Sequence, residues 1–112
     1  MKLPNLDLVQ VEKKKIIEYL LSTSHPDGSS KASFFAQFGF SAQNWETLAQ
    51  SFRKHVKMHD IAKVVESDYG TRYSVDGYIE TPDGRNPNVR SVWIIPKQSR
   101  IPRLITAHPI KR

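Results

Sequence analysis

The hydrophobic pattern of this chain changes its period once, close to Asp60, and that change constrains the fold most strongly. Before Asp60, apolar residues recur every three or four positions, which is typical of the buried stripe of a helix. After Asp60, apolar and polar residues alternate, which is typical of half-buried strands. The pattern therefore predicts an α+β fold, in which about three N-terminal helices pack on one face of a four-stranded antiparallel meander. The opposite face of the sheet is then open, or covered by a partner.

Three helices are predicted in the first half. They span residues 11–22, residues 31–38 and a stretch that begins after Ser41, which is a suitable N-cap; Gly39 is a suitable stop for the second helix. The residues expected to point inward are Ile16, Ile17, Leu20 and Leu21 in the first helix, Phe34, Phe35 and Phe38 in the second, and Trp45, Leu48, Ala49, Phe52 and Val56 in the third. The predicted strands span residues 61–66, 72–79, 89–95 and 104–108.

The length and composition bound the class of protein. A chain of 112 residues predicts a single domain over residues 1–112. The absence of cysteine excludes disulfides and thiolate metal sites. No apolar run approaches the 18 or so residues of a membrane span, and no secretory signal is visible. We therefore expect no membrane partner and a cytoplasmic site of action, including delivery into a target cell as the tail of a larger exported protein.

The positive charge is concentrated near the carboxyl end. The chain carries a net charge of +6, and from Arg85 to Arg112 it has seven basic residues and no Asp or Glu. A field of one sign attracts polyanions, so this half favours RNA as a partner. A basic face kept only for solubility is the alternative. Binding to a membrane surface fits less well, because this half alternates like strands and has no amphipathic helix.

The four histidines differ in what they can do. His55 and His59 lie four residues apart on the third helix, but no acidic residue lies between them, so we expect a solvent-facing helix end and no metal or other cofactor. His108 ends the last strand, and strict alternation places it on one face with Leu104 and Thr106. If Ile105 and Ala107 face the helices, Thr106 and His108 stand on the open face. A polar strand-end residue is the alternative for His108.

Three further residues are candidates for a site. His25 precedes the second helix, and Lys31 lies in the first turn of that helix, where a cation opposes the helix dipole. Arg72 is on the polar side of its strand. Arg90 cannot be assigned to a face, because residues 89–95 are apolar on both faces.

Several motifs resemble those of a bacterial family of small domains of unknown function, which occur alone or at the carboxyl ends of large toxin-like or adhesin-like proteins. The motifs are Lys2-Leu3-Pro4-Asn5, Tyr19-Leu20-Leu21-Ser22, His25-Pro26-x-Gly28-x-x-Lys31-Ala32-x-x-Phe35, Tyr69-Gly70-x-Arg72-Tyr73-x-Val75, Val89-Arg90-Ser91-Val92-Trp93-Ile94-Ile95 and Pro102-Arg103-Leu104-Ile105-Thr106-Ala107-His108-Pro109. The last of these is also similar to strand endings in nucleases of the barnase, EndoU, colicin and RelE-like fold. This chain has His108 where many of those endings have Tyr.

The second resemblance implies a metal-independent ribonuclease of the toxin kind, with its active site on the open sheet face. We infer that His25, whose motif belongs to the first family, and His108 are the acid–base pair, either one being the acid, and that Lys31 and Thr106 complete the catalytic group. Substrate binding would fall to Arg72, Arg90 and Arg103. The expected partners are RNA and a small immunity or antitoxin protein. The alternative is a non-catalytic module that binds RNA or protein in such a system, although a surplus of positive charge is unusual for a nuclease inhibitor.

Overall fold

The computed structural model describes residues 1–22 and 29–110, and it confirms the predicted α+β architecture. The first helix, α1, covers Lys13–Lys15 and continues as a π-helical turn over Ile16–Leu20. The other helices are α2 (Ser29–Ala36) and α3 (Trp45–Met58). The strands are β1 (Ile61–Ser67), β2 (Gly70–Tyr78), β3 (Asn88–Pro96) and β4 (Arg103–Pro109). All four pair antiparallel in the order β1-β2-β3-β4.

The two faces of the sheet have different surroundings. One face, which we call the core face, packs on the helices through side chains that are almost fully buried: Val75, Ile79, Val89, Trp93, Leu104 and Ala107. Their helical partners include Ile16, Leu20, Phe35, Leu48, Phe52 and Val56. The other face, which we call the open face, carries Arg72, Asp76, Arg90, Val92, Thr106 and His108, none of them buried. The helices therefore cover one face and leave the other accessible.

Turns and caps close the helices largely as the sequence predicts. Gly39, three residues after the end of α2, adopts a φ of 103°, a conformation that favours glycine. Ser41 and Asn44 form a reciprocal capping box before α3. Phe35 and Phe38 are buried, and Phe34 packs against the core from its edge.

The N-terminal segment fixes the position of α1. The Gln10 N–H donates to the Pro102 carbonyl at 2.8 Å, and the Leu104 N–H donates to the Gln10 carbonyl at 3.1 Å. Gln10 thus pairs in parallel with Arg103 at the outer edge of β4. Because α1 begins three residues later, it runs beside β4.

A β-bulge in β4 corrects the expectation of strict alternation. Val92 pairs with Thr106, but the adjacent Trp93 pairs with Leu104, so Ile105 is an extra residue on β4. Leu104 consequently faces the core together with Ala107, and the prediction that it shares a face with Thr106 and His108 is wrong. Thr106 and His108 still lie on the open face, because their partners Val92 and Arg90 do.

The expectation that His55 lies at a solvent-facing helix end is also wrong. Its side chain is 1% exposed, and both ring nitrogens have partners at 3.1 Å, Ser91 Oγ and the Gly77 carbonyl oxygen. His59 is half-buried and bonds to the Tyr78 carbonyl oxygen at 2.8 Å.

Across residues 1–22 and 29–110, no three His, Cys, Asp or Glu side chains are grouped as metal ligands. Within the same ranges, no helix has the length and apolar character that crossing a membrane requires.

Candidate active site beside strand β4

The phenol of Tyr19 is the point at which three segments of the chain meet. The Thr106 Oγ–H donates to the Tyr19 hydroxyl oxygen at 3.4 Å. The Lys31 Nζ lies 5.4 Å from the centroid of the Tyr19 ring, and the Lys15 Nζ lies 5.0 Å from the same centroid. A cation this close to an aromatic face is attracted by the ring. The four residues, Lys15, Tyr19, Lys31 and Thr106, form what we call the Tyr19 cluster.

Local irregularities of the backbone position this cluster. Tyr19 lies in the π-helical turn, in which the Leu21 N–H donates to the Ile16 carbonyl at 2.8 Å, five residues back. Such turns are often found at functional sites because they displace side chains from the regular helical face. Thr106 directly follows the bulged residue Ile105. Bulges likewise redirect side chains next to active sites.

The surroundings of Tyr19 favour its ionised form. The hydrogen bond from Thr106 is the strongest influence, and the hydrogen bond and charge of Lys31 and the charge of Lys15 act in the same direction. Together they hold the pKa of the Tyr19 phenol below its ordinary value of 10.0, although partial burial raises it. The phenol can therefore give up its proton more readily than an isolated tyrosine.

A cleft of about 490 Å³ with charged walls opens from the same phenol. It is lined by Glu12, Lys14, Lys15, Glu18, Tyr19 and Arg103. The Arg103 Nη2 contacts Glu12 Oε1 at 3.1 Å, but both side chains remain about half exposed. An exposed pair of this kind contributes little to stability, so Arg103 can be redirected to an anion at little cost.

His108 belongs to a neighbouring row of side chains on the open face. Asp76, Arg90 and His108 face one another across β2, β3 and β4. The Arg90 guanidinium donates two hydrogen bonds to the Asp76 carboxylate, from Nε to Oδ1 at 2.7 Å and from Nη2 to Oδ2 at 2.8 Å. The hydrogen bond from Arg90 is the main cause that holds the pKa of the Asp76 carboxyl below its ordinary value, and the charges of Arg90, His108 and His55 add to it. Partial burial opposes this shift.

Comparison with known proteins identifies the family. The model of the family described as Domain of unknown function (DUF6883) matches residues 2–111. The chain belongs to this family. A comparison with curated protein sequences gave no match.

A solved structure shares the fold of this DUF6883 domain. It is a contact-dependent growth inhibition toxin–immunity protein complex from Klebsiella pneumoniae 342. One of its chains aligns with a TM-score of 0.69 and 20% sequence identity, and the match covers 89% of this chain and 98% of that one. At this level of identity the likeness concerns the fold.

The structure brings some of the residues predicted for the site together and separates others. Lys31 and Thr106 meet at Tyr19, and Arg103 lines the adjoining cleft. His108 follows Thr106 on the same face of β4. The remaining candidates are placed apart from the cluster or outside the described residues: Arg72 lies two strands from β4 on the open face, Arg90 is bound to Asp76, and His25 falls outside the described residues.

Tyr19 and Lys15 are the members of the cluster that sequence reasoning missed. They are four residues apart, the spacing at which helical side chains meet. A lysine followed by a tyrosine at this spacing is too common to mark a site without the third segment. The Tyr19-Leu20-Leu21-Ser22 motif carried the signal that could have identified the position.

Proposed function

We propose that this DUF6883 domain is a metal-independent ribonuclease that cleaves RNA by transfer of the phosphodiester to its own 2′-hydroxyl. The observation that carries the proposal is the Tyr19 cluster itself. Lys31 and Thr106 are 75 residues apart, yet both reach one phenol at the mouth of the cleft that Lys15 and Arg103 line. An accessible hydroxyl pair beside two ammonium groups suits a phosphate ester, whose reaction needs proton transfer and stabilisation of charge on the phosphoryl oxygens.

Each residue has a proposed role in this reaction. Lys31 stabilises the phosphoryl oxygens. Thr106 donates a hydrogen bond to the substrate or to a side chain that contacts it. His108 exchanges a proton with one of the two reacting oxygens, because an imidazole is suited to proton transfer near neutral pH. His25 is proposed as its partner from the sequence motif alone. Arg103 binds a neighbouring phosphate from the cleft, and Arg72 and Arg90 contact RNA further across the open face.

The likeness to a chain of a toxin–immunity complex supports a biological setting for this activity. We propose that the domain acts as a toxin in the cytoplasm of a target cell, where a small immunity or antitoxin protein inhibits it. The net charge of +6 supports this assignment, because a nuclease presents a basic surface to RNA and its inhibitor usually presents an acidic one.

A second candidate function is that of the protein-binding partner in such a system. It is favoured by the edge strand β1, on which Val64 and Val65 are 51% and 42% exposed on opposite faces of the sheet. Tyr69, in the turn that follows, is 78% exposed. An edge strand with exposed valines can pair with a strand of another protein.

Incubation with RNA in excess chelator distinguishes the two functions. A ribonuclease of this mechanism cuts an RNA oligonucleotide and leaves DNA of the same sequence intact, because DNA lacks the 2′-hydroxyl. Its expression arrests bacterial growth, and the product of a neighbouring gene restores it. Equal cleavage of RNA and DNA, or loss of cleavage in chelator, would contradict the mechanism; no cleavage of either would favour the binding function.

Replacement of His108 tests its proposed role. His108→Ala is expected to lower the rate of RNA cleavage by about 10²-fold or more, with RNA affinity little changed, the usual scale for a positioned acid or base. His59→Gln is a matched control, because His59 is bonded to the Tyr78 carbonyl oxygen, away from the Tyr19 cluster. Near-normal cleavage by His108→Ala would leave His108 as an ordinary strand-end residue.

A further inference from the structure

The contacts of Tyr19 suit a side chain that accepts a proton from a substrate. The Thr106 hydroxyl donates towards its oxygen, so that oxygen is already arranged as an acceptor. Lys15 and Lys31 place two positive charges beside the ring, where they stabilise a phenolate. We propose that Tyr19 is the catalytic residue that removes the proton from the 2′-hydroxyl of RNA. This inference rests on the proposed ribonuclease function, and within it Tyr19 takes the place of His25 as the partner of His108 in proton transfer.

The position of Tyr19 relative to His108 suits the two ends of one phosphodiester. Thr106 and His108 are alternate residues on one face of β4, so their Cα atoms are about 6.6 Å apart at a rise of about 3.3 Å per residue. The Tyr19 oxygen lies 3.4 Å from Thr106 Oγ1. With a phosphodiester between them, one of these two side chains can therefore lie within hydrogen-bond reach of the 2′-oxygen and the other within reach of the 5′-oxygen.

The Tyr19 phenolate accepts the proton of the 2′-hydroxyl, and the 2′-oxygen forms a bond to phosphorus. The bond between phosphorus and the 5′-oxygen breaks, and protonated His108 donates a proton to that oxygen. The products are a 2′,3′-cyclic phosphate and a 5′-hydroxyl, and both side chains recover their starting forms by exchange with water.

The charged groups around Tyr19 come from each element that packs against it. Lys15 and Glu18 lie on its own helix, Lys31 on α2 and Arg103 on β4, and Glu12 precedes α1. Glu12 is paired with Arg103, so its negative charge is partly offset. The two lysines and the Thr106 hydrogen bond hold the pKa of Tyr19 below its ordinary value, which makes the phenolate available as a base.

The first test compares Tyr19→Phe with Tyr69→Phe, a control that removes the hydroxyl of an exposed tyrosine in the β1–β2 turn. Steady-state cleavage of an RNA oligonucleotide is measured in chelator across a range of pH. Tyr19→Phe is expected to lower kcat by about 10²-fold and to abolish the rise of kcat/KM with pH on the acid side, while the control behaves as wild type. Thermal unfolding confirms that each variant is folded.

A second pair of variants tests the role of the lysine charge and does not require turnover. The tyrosinate absorbance of wild type minus that of Tyr19→Phe reports the ionisation of Tyr19 directly. Lys31→Met is expected to shift this titration to higher pH, and Lys31→Arg to restore it, because arginine keeps the charge. The limb of the kcat/KM profile that reports Tyr19 should move with it.

The outcomes separate this inference from the proposed function. If wild type cleaves RNA but Tyr19→Phe keeps its rate within a few-fold or retains the acid-side rise, the inference is wrong and the ribonuclease stands. Loss of only the alkaline fall would make Tyr19 the acid instead and overturn the assignment as base. If wild type does not cleave RNA at all, both the proposed function and this inference fail.

Discussion

The buried imidazole of His55 makes the stability of the fold depend on pH in a way that can be measured. The Gly77 carbonyl oxygen can only accept a hydrogen bond, so Nε2 carries the ring proton and Nδ1 accepts from the Ser91 hydroxyl. The Ser91 oxygen in turn accepts from Trp93 Nε1–H at 2.8 Å. This arrangement suits a neutral ring, because a second proton would have to lie on Nδ1, facing the hydroxyl hydrogen.

The size of the effect follows from the pKa of His55. Burial is the main cause that lowers this pKa from 6.5 to about 4, and the Gly77 carbonyl opposes it. The unfolded chain therefore binds a proton at a higher pH than the folded protein, so stability is fully present above pH 6.5 and falls as the pH drops towards 4. The full loss is about 3 kcal/mol, and about 2 kcal/mol of it occurs between pH 7.5 and pH 5.

Urea unfolding at pH 7.5 and at pH 5 measures this loss. His55→Gln removes the titrating ring and keeps an amide that can donate to Gly77, so its free energy of unfolding should change about 2 kcal/mol less than that of wild type between the two pH values. Arg72→Gln, a substitution on the open face that removes no imidazole, is the control and should retain the wild-type dependence. If His55→Gln loses as much stability as wild type, or if the nuclear magnetic resonance titration of His55 in the folded protein has a midpoint near 6.5, the reasoning is refuted.

Three further substitutions test single contacts. Arg103→Ala should weaken RNA binding and reduce the slope of log K against log salt by about 1, whereas Arg100→Ala, on the preceding loop, should leave cleavage unchanged. Arg90→Met should cost about 1 kcal/mol or less in unfolding free energy, since its ion pair with a neighbouring strand is partly exposed, and should reduce the slope of log K against log salt, because Arg90 is proposed to contact RNA; an unchanged slope would remove Arg90 from the RNA-binding surface. Gly77→Ala should destabilise the fold by about 1 to 3 kcal/mol in urea unfolding, because a Cβ there would overlap the His59 ring; an unchanged midpoint would contradict this close packing.

The architecture was predictable because periodicity reports burial directly. The alternation of Tyr73, Val75, Gly77 and Ile79 predicted the core face of β2, and Val75, Gly77 and Ile79 are all buried. The capping residue Ser41 and the stop at Gly39 were also predictable, because each depends on local chemistry. Long-range packing was not predictable in the same way. His55 was assigned to solvent because a histidine four residues from another at the end of a helix gives no sign of the Ser91 and Gly77 partners that bury it.

The candidate site was predicted in part, for a related physical reason. Lys31 and Thr106 were selected from a motif and a strand end, but the residue that joins them, Tyr19, lies where the helix departs from its regular period. Similarly, the bulge at Ile105 breaks the alternation on which the assignment of β4 depended. Neither irregularity can be predicted from the spacing of apolar residues, since each adds one residue to a turn or strand without changing the hydrophobic composition around it.

These two irregularities also explain how a side chain from α1 can reach the open face. A regular helix beside β4 would direct Ile16 and Leu20 to the core, as here, but an added residue per turn changes where the intervening side chains point. The bulge then lets Leu104 and Ala107 both face the core while Thr106, between them, faces Tyr19. The π-helical turn is not needed to bury Ile16 and Leu20, which lie four residues apart, whereas the bulge is what buries Leu104 and Ala107 together. Because the π-helical turn has a cost that burial does not require, and because it meets the bulge at one hydrogen bond, the coincidence supports the proposed site at Tyr19.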